Sequence, residues 1–350
     1  MANAKGLFYT AYPKGGRAFV SNVLSGFTVS LAMIPEAVAF AFVAGVSPIV
    51  GLWSAVAMGF FAAAFGGRGG IVTGASGACA VVIASLVASH GVAYLYPTVV
   101  LAGLWQMTCG VLGLGKFIKL VPHPVMLGFV NGLAIVMTRA QLTHFFDPLT
   151  GALLRGARGA TMAGLTALTM VLIKVLPKLT TAVPPALAAV GLVSTFSKLA
   201  GLPATTLVDI AGKATFAGGV SVLPALFNPL ASAAASFSAG VPLATLGVIA
   251  PYAVTMGTVG LIESLLTLQL VDGLVDDGSR GSTNQECIGQ GLGNLFSGLT
   301  SGMGGCALIG QSLINVQSGG TSRVSGVAMS IFLGLGIFGA APLLGQASIS

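Results

Sequence analysis

Residues 73–82 read TGASGACAVV, a run of small residues inside a chain that is otherwise rich in Leu, Ile, Val and Phe. A second run of this kind, SGMGGCALIGQS, occupies residues 301–312. Two short, glycine-interrupted apolar segments, one in each half of a chain, are typical of a transporter binding site. The runs are also compatible with close packing of ordinary helices, because Gly, Ala and Ser let two backbones approach each other.

The physical basis of the first interpretation is the positive end of a helix. A helix that begins inside a membrane leaves its first N–H groups without acceptors, and its N-terminal end carries about half a positive charge. Small side chains allow a ligand to reach those N–H groups. Two such ends that meet would bind an anion without lysine or arginine, and this is the site that the two runs predict.

The composition indicates a membrane protein. Of the 350 residues, 55% are hydrophobic and 7% are charged, and the mean hydropathy is +0.96. A soluble domain carries about 25% charged residues. Apolar stretches of about 20 residues recur along the chain, which is the length that a spanning helix needs. The sequence therefore predicts an all-α, multi-pass integral membrane protein surrounded by the lipid bilayer.

The charges and the motifs narrow the function. The fifteen Lys and Arg residues are dispersed, so the net charge of +7 does not indicate a nucleic-acid partner. Lys5, Lys14 and Arg17 precede the first apolar stretch and predict a cytoplasmic N-terminus. The N-terminal residues contain no short apolar core followed by a cleavage site, so we expect no signal peptide. The membrane that we expect is the plasma (inner) membrane. The sequence shows no Ser-His-Asp order, phosphate loop or metal-ligand spacing, so it predicts neither an enzyme nor a resident metal or other cofactor.

The apolar stretches predict eleven spans and a mixed connection at 202–240. We place the spans at residues 19–45, 48–65, 73–90, 94–114, 123–145, 160–176, 184–200, 243–271 and 287–302, then from 305, and from 324 to the end. Four cysteines lie in or beside these stretches without a CxxC pair, which favours packing over disulfides or metal binding. They are Cys79, Cys109, Cys287 and Cys306.

Two acidic residues stand inside predicted spans. Glu36 directly follows Pro35, and Glu263 has Thr267 one turn later on the same helix face. A carboxylate at this depth costs a few kcal/mol and marks an ion or proton pathway or a buried pair. A carboxylate with a hydroxyl and backbone carbonyls can hold Na⁺, and the carboxylate alone can carry a proton. The alternative is structural pairing with Arg139 or with another helix.

Three segments resemble the SulP family of anion transporters, which includes sulfate permeases and cyanobacterial bicarbonate transporters. They read SLAMIPEAVAFAFVAGVSPIVGLWSA, KLVPHPVMLGFVNGLAIV and NQECIGQGLGNLFSGLTSGMGGCALIGQSLINVQSGG, and the likeness extends over about residues 18–345. The resemblance implies a UraA-like fold of two inverted seven-span repeats, with a core and a gate domain. It also implies an elevator-like transport cycle, with the anion held between the half-helical third and tenth spans.

Site residues are carried over from the family by position. Ser76, Gly77 and Ala78 would form one anion-binding helix end, and the other would consist of Cys306, Ala307 and Leu308. Glu263 and Thr267 match the positions that hold Na⁺ in the bicarbonate branch, whereas a proton-coupled relative would use Glu263 or Glu36. The bicarbonate branch has Asp in place of Glu263 and more hydroxyl groups at 307–309, so neither the ion nor the anion is decided.

The resemblance also divides the chain. We expect a cytoplasmic segment at 1–18, a first repeat at 19–200, a connection at 201–242 and a partial second repeat at 243–350, without a STAS domain. The expected function is secondary active transport of a small inorganic anion, sulfate or bicarbonate, by symport with Na⁺ or H⁺, and a homodimer is the assembly that we consider. The alternatives are a nucleobase-type permease of the same architecture and an inactive, truncated paralogue with a structural or regulatory role.

Overall fold

The computed structural model describes residues 15–120, 156–179, 185–202, 242–275 and 278–345, and scattered positions between 128 and 146. Most of the predicted span at 123–145 and the connection at 201–242 lie outside the described residues. The helices and strands, in chain order, are α1 (Gly16–Val43), α2 (Pro48–Phe65), β1 (Thr73–Gly74), α3 (Gly77–His90), α4 (Leu95–Val111), α5 (Gly156–Leu179), α6 (Pro185–Leu199), α7 (Pro242–Leu274), α8 (Thr283–Leu299), β2 (Cys306–Ala307), α9 (Ile309–Gln317) and α10 (Arg323–Gly345).

Helix starts follow local sequence signals. Pro48 opens α2, where its missing N–H and fixed φ cost nothing. Ser282 caps α8, and its hydroxyl accepts a hydrogen bond from the backbone N–H of Gln285 at 3.3 Å. Ser76 caps α3 in the same way. A proline thus marks the start of α2, and serine caps mark the starts of α3 and α8.

The lengths of the helices confirm the all-α membrane fold. Within the described residues, five helices are long and apolar enough to cross a membrane, namely α1, α2, α4, α5 and α7. Helix α3 has 14 residues and α9 has 9, which correspond to about 21 Å and 14 Å at 1.5 Å per residue. Neither length reaches the roughly 30 Å of the hydrocarbon core. The two glycine-interrupted runs therefore lead into half-length helices, as predicted.

The chain forms two compact units that alternate along the sequence. One consists of residues 1–127 and 224–334, and the other of residues 128–223 and 335–350. In the first unit, α8 packs against α2 and α4, and α7 packs against α3, α4 and α9. The α4–α8 crossing is very close, since a Cβ on Gly103 would lie 2.6 Å from the carbonyl oxygen of Gly291. In the second unit, α5 packs against α6. All candidate site residues belong to the first unit.

Candidate functional site

A two-stranded pairing brings the starts of α3 and α9 together. Strands β1 and β2 are antiparallel, with Thr73 opposite Ala307 and Gly74 opposite Cys306. The backbone N–H of Leu308 extends the pairing by donating to the carbonyl of Val72 at 2.9 Å. Both helices begin within three residues of these pairs, so their N-terminal ends lie side by side.

The start of α3 carries free amide groups. Ser76 is buried, and its hydroxyl accepts from the N–H of Cys79 at 3.4 Å. The N–H groups of Gly77 and Ala78 point out of the first turn, where a helix has no acceptors of its own. The described residues offer them no acceptor either. This helix end is therefore able to bind an anion through Gly77 and Ala78.

The start of α9 is arranged differently from the sequence expectation. The N–H of Ala307 donates to the hydroxyl of Ser264 at 3.0 Å, and the N–H of Leu308 is used by Val72. The first amides without an acceptor among the described residues belong to Ile309 and Gly310, one step further along. Binding by Cys306, Ala307 and Leu308 stays a prediction, but the amide of Ala307 is bonded to Ser264 and that of Leu308 extends the strand pairing, so neither belongs to the free helix end.

Glu263 lies directly beside this strand pair. Its side chain is buried, and its Oε2 atom is 2.9 Å from the Cys306 Sγ atom. The same sulfur is 3.0 Å from the Ser76 hydroxyl. The Thr267 hydroxyl donates to the Glu263 carbonyl at 2.9 Å and lies 3.5 Å from the Ala307 carbonyl. The predicted coupling pair and the predicted anion site are thus in direct contact.

Glu36 belongs to the same region. It is half-buried in α1, and its carboxylate accepts a hydrogen bond from the side chain of Gln311, in the first turn of α9. The structural alternative for the two acids was pairing with Arg139 or with another helix, and the hydrogen bond of Glu36 to Gln311 on α9 is a contact of the second kind. Two carboxylates therefore stand near one proposed anion site.

Helix α8 holds both strands from behind, which the sequence interpretation missed. The side chain of Asn294 accepts from the N–H of Gly305 at 2.9 Å and donates to the carbonyl of Gly305 at 3.0 Å. It also donates to Gln106 at 2.8 Å, while Gln290 donates to the Thr73 hydroxyl at 2.9 Å. The signal was present in the sequence, since Gln290 and Asn294 stand one turn apart in an otherwise small and apolar stretch.

A multi-pass helical protein whose two half-length helices start side by side belongs to the class of inverted-repeat membrane transporters. The profile of the sulfate permease family matches residues 19–347, and the chain belongs to this family. Its members are transporters rather than enzymes, and the protein is an integral membrane protein.

Curated relatives and solved structures agree with this assignment. The chain is 39% identical to the "Putative sulfate transporter YbaR" of Bacillus subtilis (strain 168), over 82% of this chain and 55% of the relative. It is 32% identical to the "Bicarbonate transporter BicA" of Picosynechococcus sp., over 81% of this chain and 51% of the relative. The chain thus spans about half the length of these relatives.

The solved structures agree on the fold. The transmembrane domain of a cyanobacterial bicarbonate transporter BicA superimposes with a TM-score of 0.79 at 30% identity, covering 96% of this chain and 86% of that one. Murine Slc26a9, an anion transporter solved in the inward-facing state, gives 0.72 at 14% identity over 94% of this chain and 58% of its own. At that identity the second likeness concerns the fold alone. The predicted UraA-like architecture is confirmed.

Proposed function

We propose that this chain performs secondary active transport of a small inorganic anion, sulfate or bicarbonate. The observation that carries the proposal is the pair of half-length helix starts that β1 and β2 bring side by side, with amide groups that no described residue uses. Backbone N–H groups and helix dipoles at such an end favour a negative ligand. The names of the relatives, one a putative sulfate transporter and one a bicarbonate transporter, support the two candidate anions.

Cation coupling follows from the charges around this site. An anion between the two helix ends would lie close to Glu263 and Glu36, and like charges at short range in a low dielectric repel strongly. A cation or proton on the carboxylates removes this repulsion. Since linkage is reciprocal, a cation that strengthens anion binding is itself bound more tightly when the anion is present. This reciprocity makes symport with Na⁺ or H⁺ the expected mode.

The transport cycle that fits this arrangement is an elevator-type movement. All candidate ligands lie in the unit formed by residues 1–127 and 224–334, so the anion and the coupling ion would travel with one body. We expect a homodimer in the plasma (inner) membrane, with the N-terminus in the cytoplasm. Cross-linking checks the homodimer, and reporter fusions at the N-terminus check its cytoplasmic location.

The test is uptake of labelled sulfate and bicarbonate into proteoliposomes that contain the purified full chain. We expect uptake of one of these anions above that of empty liposomes, and faster uptake when a Na⁺ or pH gradient is directed inward. Uptake without any dependence on either gradient would remove the coupling proposal. Competition by uracil, but not by inorganic anions, would favour the nucleobase alternative.

A further inference from the structure

The atoms around the Glu263 carboxylate test whether the coupling ion is Na⁺. Hard cations such as Ca²⁺ and Mg²⁺ take oxygen ligands from carboxylates, carbonyls, hydroxyls and water, and sulfur suits soft metals instead. Na⁺ is a hard cation of the same kind. Yet Oε2 of Glu263 faces the sulfur of Cys306 at 2.9 Å. The donor next to the carboxylate is therefore the wrong one for Na⁺.

The neighbouring hydroxyl groups already have partners. Ser264 donates to the carbonyl of Gly260 at 2.7 Å and accepts from the N–H of Ala307 at 3.0 Å. Thr267 donates to the carbonyl of Glu263 at 2.9 Å. Ser76 accepts from Cys79 at 3.4 Å and contacts the Cys306 sulfur at 3.0 Å. Ser264 and Ser76 therefore each spend a hydroxyl lone pair on a backbone N–H, which leaves Thr267 as the one of these three hydroxyl groups with both lone pairs available to a cation.

The thiol of Cys306 is held by its backbone and by two side-chain contacts. Cys306 is fully buried, and its backbone is paired with Gly74. Its sulfur contacts the Glu263 carboxylate at 2.9 Å and the Ser76 hydroxyl at 3.0 Å. The strand pairing of the backbone and these two contacts keep the thiol beside the carboxylate.

We infer that the thiol of Cys306 excludes Na⁺ from the Glu263 carboxylate and so determines which coupling ion the transporter uses. The inference rests on the proposed function, in which Glu263 is the coupling residue. The sequence left Na⁺ and H⁺ open as the coupling ion, and only the proton binds to a carboxylate without further oxygen ligands. A serine at this position would supply an oxygen of smaller size and leave space beside the carboxylate.

The experiment measures binding of ²²Na⁺ to the purified full chain in detergent. We expect no saturable binding by the wild type, saturable binding by Cys306→Ser, and loss of that binding in the double variant Cys306→Ser with Glu263→Gln. Cys287→Ser is the matched control, because Cys287 is equally buried but packs in an apolar cluster with Leu261, Leu265 and Leu266; it should behave as the wild type.

Two results would overturn the inference: saturable, Glu263-dependent Na⁺ binding by the wild type, or no Na⁺ binding by a folded Cys306→Ser protein. If Cys306→Ser does not give a monodisperse protein, Cys306→Thr takes its place, since it also introduces a hydroxyl. Saturable, Glu263-dependent binding by the wild type would overturn the inference whichever variant is used. Because binding is measured without transport, a failure of anion uptake would remove the proposed function and leave this result standing.

Discussion

Gly305 shows how a single residue fixes the site. A Cβ at this position would overlap the carbonyl oxygen of Gly74 on the paired strand, and real structures do not tolerate such an approach. Any side chain here must push β1 and β2 apart. The two helix ends depend on this pairing for their position, so we regard Gly305 as the tightest steric constraint in the site.

Gly305→Ala is therefore expected to abolish anion uptake and to lower the melting temperature, since overpacking of a dense interior costs about 1–3 kcal/mol. The control is Gly247→Ala in α7, where an added Cβ meets nothing within 4 Å. Uptake by proteoliposomes and thermal unfolding in detergent measure the two effects. Normal uptake by Gly305→Ala would show that the strand pairing does not position the site.

Glu263 is the residue on which the proposed coupling depends. Gln at this position keeps the shape but can neither be charged nor carry a proton or cation. We expect Glu263→Gln to lose gradient-driven accumulation while it still exchanges labelled for unlabelled anion across the membrane, because exchange needs only the anion site. Exchange also serves as the folding control. Accumulation at the wild-type rate would contradict the role of Glu263.

At the residue scale, the two buried acids were easier to find in the sequence than the free amides of α9. An acid inside an apolar span stands out in any sequence, so Glu36 and Glu263 could be found without a structure. The free amides of Ile309 and Gly310 could not, because which N–H groups are free depends on the hydrogen bonds of Ala307 and Leu308 to distant residues. No local pattern contains that information.

Among the elements, α8 supports the two half-length helices. Its Asn294 side chain makes three hydrogen bonds of 3.0 Å or less, two to Gly305 and one to Gln106. Through Gly305 it holds β2, and through Gln290 and Thr73 the same helix holds β1. The geometry of the anion site is therefore set by a helix that contributes no proposed ligand.

We expect Asn294→Ala to lower the melting temperature and to raise the KM for the anion more than it lowers kcat. Buried polar groups left without partners cost about 1–3 kcal/mol each. The matched control is Asn284→Ala on the same helix, since the Asn284 side-chain oxygen has no partner among the described residues. That change should lower the melting temperature less, because no hydrogen bond of the Asn284 side-chain oxygen is lost. Equal effects of the two substitutions would contradict the role of Asn294.

The sequence predicted most elements but not the strand pair. The predicted second span, 48–65, has the same bounds as α2, Pro48–Phe65. The predicted eighth span, 243–271, agrees within three residues with α7, Pro242–Leu274. Long apolar stretches are readily recognised. Strands β1 and β2 have two residues each, too few for an alternating pattern, and their small residues are typical of helix contacts as well.

On the scale of the whole molecule, the number of coupling ions sets the charge that crosses the membrane. If Glu263 and Glu36 both take up a cation, sulfate crosses with two positive charges and no net charge moves. In Glu36→Gln one carboxylate remains, while the amide can still bond to Gln311. Sulfate would then move one net negative charge, which is worth about 2.3 kcal/mol per 100 mV.

Sulfate uptake by the wild type is therefore expected to be independent of a potential set with K⁺ and valinomycin. Uptake by Glu36→Gln should slow when the inside is negative. The measurement is the initial uptake rate at several K⁺ gradients, with the wild type as the reference. A wild-type uptake rate that depends on the potential, or a Glu36→Gln uptake rate that does not, would contradict a role of Glu36 as second coupling site.

The family and the membrane class could be predicted from the sequence, whereas the division into units could not. Each unit is assembled from segments that are far apart in the chain, and spans of similar apolar composition do not indicate which neighbours they pack against. The boundaries of the two repeats, at 19–200 and 243–350, stay a prediction. What decides the units is the packing of α8 and α7 onto earlier helices.

The most direct test of the central claim is the position of the bound anion in an experimental structure of the full chain with its transported anion. We predict density for the anion at the joined starts of α3 and α9, within hydrogen-bonding distance of the amides of Gly77 or Ala78 and of Ile309 or Gly310. Density for the transported anion at any other place, with these amides bonded to protein groups, would contradict the account.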